Sequence, residues 1–117
     1  MNKIEIFITT PTQALRDFAG ALEQAERGES VTPSIGFGSP SELFAAITDK
    51  RLELLRYVAQ HEGLNMHQLA KALARDYKNI HTDVKALEEI GLLENTKTGL
   101  VAPFVEIDIR LDLRQAA

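Results

Sequence analysis

The residues with the most distinctive chemistry lie in one stretch, residues 75–91, which reads RDYKNIHTDVKALEEIG. Its first half is cationic and rich in hydrogen-bonding groups, and its second half is acidic. Lys78 and Lys85 can contact phosphates or guanine edges, and the amide of Asn79 has the geometry that suits adenine. This combination of side chains is typical of a surface that reads nucleic acid.

Helical phase divides the stretch into two faces. If Ile80 is at the centre of the buried side, a rotation of about 100° per residue places Lys78, Thr82 and Lys85 opposite it. Side chains on the preceding helix, in the turn and at the tip of a following hairpin extend this polar surface. The complete set of predicted DNA-binding residues is Lys71, Arg75, Lys78, Asn79, His81, Thr82, Lys85 and Lys97.

Three other residues of the stretch receive structural interpretations. Asp76 is predicted to be the N-cap of the helix, and Asp83 is predicted to pair with Lys78, Lys85 or a neighbouring helix. Tyr77 projects near the buried side, so we expect it to be half-packed instead of stacked on a base.

The elements around this stretch follow the order helix, short turn, helix and β-hairpin, which is typical of a winged helix-turn-helix. Asn65 and Gln68 form a capping-box pattern that opens the first of the two helices, and Gly91 ends the second. Residues 92–103, LLENTKTGLVAP, are a hairpin signature. Ser39 and Thr48 are predicted N-caps of two earlier helices.

The segments on either side are less distinctive. Residues 3–9 predict a strand, residues 10–28 a helix, and residues 29–40 a linker with a brief strand at 35–37. Residues 104–113 predict a strand that pairs with the first strand or with a second copy of the chain. The predicted helix has an apolar stripe that either packs inside the fold or forms an interface. This stripe consists of Leu15, Phe18, Leu22 and Ala25.

We therefore predict an α+β, mainly α, fold: a winged helix-turn-helix with an N-terminal strand-helix extension and a C-terminal strand. Residues 1–38 form the extension and linker, an arm for dimerisation or partner binding. Residues 39–117 form the DNA-binding domain with its C-terminal strand.

The composition sets limits on function. The chain has 117 residues, a formal net charge of -4 and no cysteine, which excludes disulfides and cysteine nucleophiles and fits a cytoplasmic location. No apolar run approaches the ~20 residues that span a bilayer, so we expect no membrane partner. Residues 48–92 hold seven Lys/Arg, seven Asp/Glu and all three histidines, so any basic surface must be local to them.

No pattern indicates an enzyme, a metal or a cofactor. Residues 61–67, HEGLNMH, lack the HExxH spacing of zinc hydrolases, and Gly63 breaks the helix that would align two ligands. His81 and Asp83 project apart and have no accompanying nucleophile. We predict no catalytic residues, no metal site and no cofactor.

Two runs carry a family resemblance: ITDKRLELLRYVAQHEG at residues 47–63 and NMHQLAKALARDYKNIHTDVKALEEIGLLE at residues 65–94. They resemble the MarR-like predicted transcriptional regulators of bacteria and archaea, over roughly residues 39–113. The resemblance implies a winged helix-turn-helix protein that binds DNA, usually as a dimer. Relatives of this kind also occur as antitoxin-like partners of small toxin genes.

Two functions follow as hypotheses. The first is a sequence-specific transcriptional regulator, a homodimeric repressor of its own promoter that binds double-stranded DNA at two half-sites one helical turn apart. The alternative is the antitoxin of a type II toxin–antitoxin pair. Such an antitoxin neutralises a small toxin encoded next to it by direct protein binding, and it autoregulates the operon.

Overall fold

The computed structural model describes residues 2–114. Within them the chain is an α+β protein with five helices and five strands, and about half of it is helical. In chain order the elements are β1 (Lys3–Ile8), α1 (Pro11–Glu26), β2 (Ser34–Phe37), α2 (Pro40–Ala46), α3 (Asp49–Gln60), α4 (Met66–Leu73), α5 (Tyr77–Glu89), β3 (Glu94–Thr96), β4 (Gly99–Val101) and β5 (Glu106–Arg110). No helix among these residues is long and apolar enough to cross a membrane.

The first, second and last strands form a parallel sheet with the order β2-β1-β5. In its register Ile6 lies between Ile35 and Ile109, so the three side chains share one face. The C-terminal strand therefore pairs with the first strand, which was one of the two predicted alternatives. The brief strand expected at residues 35–37 is also confirmed, as β2.

Contacts between Cα atoms divide the chain into two compact units. Among the described residues, unit 1 contains 3–44 and 106–114, and unit 2 contains residue 2 and residues 45–105. The sequence grouped the last strand with the helical block, whereas backbone pairing places β5 beside β1 in unit 1. The domain boundary at residue 38 stays a prediction.

Unit 1 has few buried side chains. Ile4, Ile6 and Leu43 are its buried hydrophobic residues. Helix α1 begins as expected, with the Thr10 hydroxyl accepting a hydrogen bond from the backbone N–H of Gln13 at 3.1 Å, but it buries no residue. Of the two alternatives for the α1 stripe, packing inside the fold is therefore wrong.

Unit 2 contains most of the hydrophobic core. Helical spacing predicts Ile80, Val84 and Leu87 as the buried stripe of α5, and all three are fully buried. For α3 the same spacing predicts Leu52, Leu55 and Val58, whereas the buried residues include Leu54 in place of Leu52. The buried hydrophobic residues of unit 2 are Ile47, Leu54, Leu55, Val58, Leu69, Ala70, Ile80, Val84, Leu87, Leu92, Leu93 and Leu100.

The predicted caps of the helices in unit 2 are confirmed. Thr48 caps α3, and Asp76 caps α5 by accepting a hydrogen bond from the N–H of Lys78 at 3.2 Å. Asn65 and Gln68 form the complete capping box of α4, with distances of 2.8 and 2.9 Å. These side chains take up N–H groups that the first turns leave without helical partners, and so they fix where each helix starts.

The β3–β4 hairpin is attached to the loop between α3 and α4. The N–H of Gly63 donates to the carbonyl of Leu100 at 3.0 Å, and the N–H of Leu100 donates to the carbonyl of Leu64 at 2.9 Å. Gly99 has a φ of +119°, and a Cβ atom at this position would collide with the backbone of Gly63. The close approach of the hairpin to this loop therefore depends on a glycine at position 99.

Candidate nucleic-acid interface

The turn between α4 and α5 is short and tightly bonded. Ala74 adopts the left-handed conformation, with φ 53° and ψ 45°, and ends α4. Its N–H donates to the carbonyl of Lys71, and the N–H of Arg75 donates to the carbonyl of Ala70 at 2.9 Å. The chain then enters α5 at the Asp76 cap. A non-glycine residue in this conformation is uncommon, which is why the sequence did not reveal it.

A shielded ion-pair network joins the turn to α5 and α3. Asp83 on α5 accepts a hydrogen bond from Arg51 on α3 at 3.0 Å and from Arg75 in the turn at 2.7 Å. The three side chains are only 13–18% exposed. Of the predicted partners for Asp83, the neighbouring helix is therefore confirmed, through Arg51. Arg51 also donates to the carbonyls of Ala45 and Ala46 at 3.2 and 3.1 Å.

The network determines the ionisation of Asp83. Burial raises the pKa of this carboxyl group, but the hydrogen bonds from Arg75 and Arg51, together with their charges, outweigh burial and lower the pKa below its ordinary value. Asp83 is therefore a carboxylate at neutral pH, and one negative charge is shared by two guanidinium groups.

Seven of the eight predicted DNA-binding residues are exposed, and they lie in unit 2. The exposed ones are Lys71, Lys78, Asn79, His81, Thr82, Lys85 and Lys97. Arg75 differs, since its side chain is only 16% exposed and bonds to Asp83. We therefore interpret Arg75 as a residue that positions α5.

The exposed side chains of α5 are only lightly engaged. Thr82 donates its hydroxyl hydrogen to the carbonyl of Lys78 at 3.0 Å, which leaves its oxygen free to accept. Lys85 lies 3.8 Å from Glu88, a separation at which an exposed ion pair contributes little. Both groups can therefore turn towards a ligand at low cost.

Aromatic rings join the start of α5 to α4. Tyr77 stacks on His67, with ring centroids 4.2 Å apart and planes 14° apart, and His81 lies 6.1 Å away. Tyr77 is 39% exposed, so its expected half-packed state is confirmed. His61 instead stacks on Tyr57 at 4.1 Å. Among residues 2–114 no group of three His, Asp or Glu side chains is arranged to hold a metal ion.

The chain matches a known protein family. The sequence profile of the HVO_A0114 family matches residues 46–109, more than half of the chain. The chain belongs to the HVO_A0114 family. The matched segment extends from the end of α2 into β5, so it includes all eight predicted DNA-binding residues. No curated protein matches the chain.

The sequence did not identify the partner residues in two contacts of this HVO_A0114 family member. In the sequence Arg51 looks like any charged residue on the solvent-exposed face of a helix. Its partner, Asp83, is 32 residues away. His67 on α4 stacks on Tyr77 at the start of α5, across the turn that contains the left-handed Ala74. Neither contact has a local signal in the sequence.

Proposed function

We propose that this protein is a sequence-specific DNA-binding transcriptional regulator with a winged helix-turn-helix fold, similar to the MarR-like regulators. In this proposal α4 and α5 are the helix-turn-helix, with α5 as the recognition helix, and the β3–β4 hairpin is the wing. The observation that carries the proposal is the division of α5: Ile80, Val84 and Leu87 are buried, while the opposite face exposes groups suited to DNA.

The exposed face offers two kinds of contact. Lys78 and Lys85 provide charges for phosphates or guanine edges, and Asn79 provides an amide that can bind adenine through two hydrogen bonds. Thr82 accepts or donates one hydrogen bond. A major groove admits one α-helix, so these residues of a single helix can reach adjacent base pairs.

The remaining exposed cations extend the surface beyond α5. Lys71 lies in the last turn of α4, and Lys97 lies between Thr96 and Thr98 at the tip of the hairpin. In the proposal both contact the phosphate backbone on either side of the recognition helix. Such contacts fix the register on DNA without reading sequence.

Two sets of side-chain contacts within unit 2 support a rigid presentation of α5. Arg51 and Arg75 hold Asp83 in the middle of the helix, and His67 holds Tyr77 at its start. Side chains that read base edges lose affinity when the helix that carries them can shift, so these two anchors are positioning residues in the proposal.

The acidic net charge of -4 is compatible with this function. Phosphate contacts depend on the local surface, and Lys71, Lys78 and Lys85 lie within residues 48–92, where positive and negative charges balance. Glu88 and Glu89 lie at the end of α5. We expect binding that is selective and strongly dependent on salt.

The direct test is binding to the DNA upstream of the gene, measured by fluorescence anisotropy at several salt concentrations. Lys78→Ala and Lys85→Ala should each weaken binding and reduce the salt slope by about one unit if a phosphate contact is lost. Lys50→Ala is the matched control, because Lys50 is an exposed lysine on α3 outside the proposed surface. Unchanged affinity in both α5 variants would remove this face from the proposal.

A further inference from the structure

Exposed apolar side chains are concentrated in unit 1. Leu15, Phe18 and Leu22 on α1 are 71%, 63% and 49% exposed. They form a continuous stripe, because residues three and four apart lie on the same side of a helix. An exposed apolar stripe of this kind is typical of an interface.

The position of α1 makes the stripe unusual. A helix that connects two parallel strands ordinarily covers the sheet with its apolar side. Here Gln13 and Asp17, on the opposite side of α1, line a cleft together with Glu5, Phe7 and Ser34 of the sheet. The stripe therefore faces away from the sheet of its own unit.

The stripe is self-complementary in shape. Leu15 and Leu22 lie two turns apart with Phe18 between them. If a second copy packs antiparallel about a two-fold axis near Phe18, Leu15 of each copy lies beside Leu22 of the other. Small residues border the stripe and permit close approach of the two backbones. They are Ala14, Ala19 and Ala21.

The charges of α1 favour the same arrangement. Its first turn has no acidic residue and its last turn has no basic one. Glu23 and Glu26 instead lie towards the C-terminal end, where the helix dipole is already negative. Antiparallel packing would bring Glu26 of each copy to the positive first turn of the other, whereas parallel packing would bring the glutamates together.

We propose that two copies of this chain associate through α1, as an antiparallel helix pair in which Leu15, Phe18 and Leu22 of both copies form the contact. The interface does not depend on the proposed DNA-binding function, and it would supply the two recognition helices that a two-half-site operator requires.

Sedimentation equilibrium of the full chain without DNA tests the interface. The unaltered protein should be dimeric, and Phe18→Glu should weaken the dimer by at least about 100-fold because each dimer would bury two unpaired carboxylates. Gln24→Glu is the matched control, since it adds the same charge to another exposed position of α1 and should stay dimeric. Because Phe18 is exposed in the protomer, circular dichroism of the two variants should agree.

Cross-linking tests the orientation, because the chain has no cysteine of its own. A mixture of Leu15→Cys and Leu22→Cys proteins should give a mixed product with a short bis-maleimide, in preference to products of either variant with itself. Predominant self-products would overturn the antiparallel arrangement.

Three results would overturn the proposal as a whole: a protein that stays monomeric at all concentrations, a Phe18→Glu variant that stays dimeric, or a stripe occupied only by a protein encoded beside this one. The last result would favour toxin binding. Because no DNA is present, none of these outcomes bears on the DNA-binding test with Lys78 and Lys85.

Discussion

Arg75 in the turn donates to Asp83 on α5 at 2.7 Å, and Arg51 occupies the other oxygen of the same carboxylate. Replacing Asp83 by asparagine would leave two guanidinium groups largely shielded and without their counter-charge. We expect Asp83→Asn to lower the free energy of unfolding by about 2–3 kcal/mol, between the values for exposed and buried ion pairs. Urea denaturation followed by circular dichroism measures this change.

Glu53→Gln is the comparison for that experiment. The Glu53 carboxylate lies 4.0 Å from Lys50, and both side chains are more than half exposed. Its loss should change the free energy of unfolding by less than about 0.5 kcal/mol. Equal effects of the two variants would contradict the anchoring role of Asp83.

The same carboxylate predicts a dependence of stability on acid pH. Because the folded state holds the pKa of Asp83 below its unfolded value, the stabilisation is complete above that unfolded value and is lost as the pH falls through the folded pKa. We expect the urea concentration at the unfolding midpoint of the unaltered protein to decrease as the pH is lowered below about 4. Asp83→Asn should have a flatter profile there, and parallel profiles would show that other groups are responsible.

Ala74 in its left-handed conformation predicts a stabilising substitution. Glycine adopts this conformation without the steric cost that alanine bears, although it loses more backbone entropy on folding. Ala74→Gly should raise the free energy of unfolding by about 0.5–1 kcal/mol. Ala59→Gly, at an exposed position inside α3, should lower it by up to about 1 kcal/mol. Both variants can be compared by thermal unfolding. A lower free energy of unfolding in Ala74→Gly as well as in Ala59→Gly would contradict the turn geometry.

Gly99 predicts a severe substitution in the hairpin. An alanine there would place its Cβ atom against the backbone of Gly63 while adopting a φ of +119°. We expect Gly99→Ala to lower the free energy of unfolding by about 2–4 kcal/mol. In Gly20→Ala the new Cβ atom meets no neighbouring atom, so stability should stay the same or increase. Chemical denaturation of the two variants provides the comparison.

Local signals predicted the helical block well. The caps at Thr48, Asn65 and Asp76 and the buried stripe of α5 follow from side chains within a few residues of each other. Propensity, capping and periodicity agree in this segment, and such agreement makes a sequence easy to interpret. The exposed candidate site followed from the same helical phase.

Long-range contacts were not predictable in the same way. The partner of Arg51 is 32 residues away, and the stack of His67 on Tyr77 depends on an alanine in a conformation that favours glycine. The stripe on α1 has the periodicity of a core helix, and only the structure reveals that it is left uncovered within unit 1. Periodicity identifies an apolar face but not what covers it.

The pairing of β1 with β5 has a consequence for the order of folding. Lys3 lies opposite Glu106, so this sheet joins strands that are far apart in the sequence, whereas all of unit 2 except residue 2 is one continuous segment. Closing so long a loop is slow, and a growing chain exposes β5 only after all of unit 2 has been synthesised. We therefore expect the helical block to acquire its structure first and the three-stranded sheet last, because β1 can pair with β5 only after β5 has been synthesised.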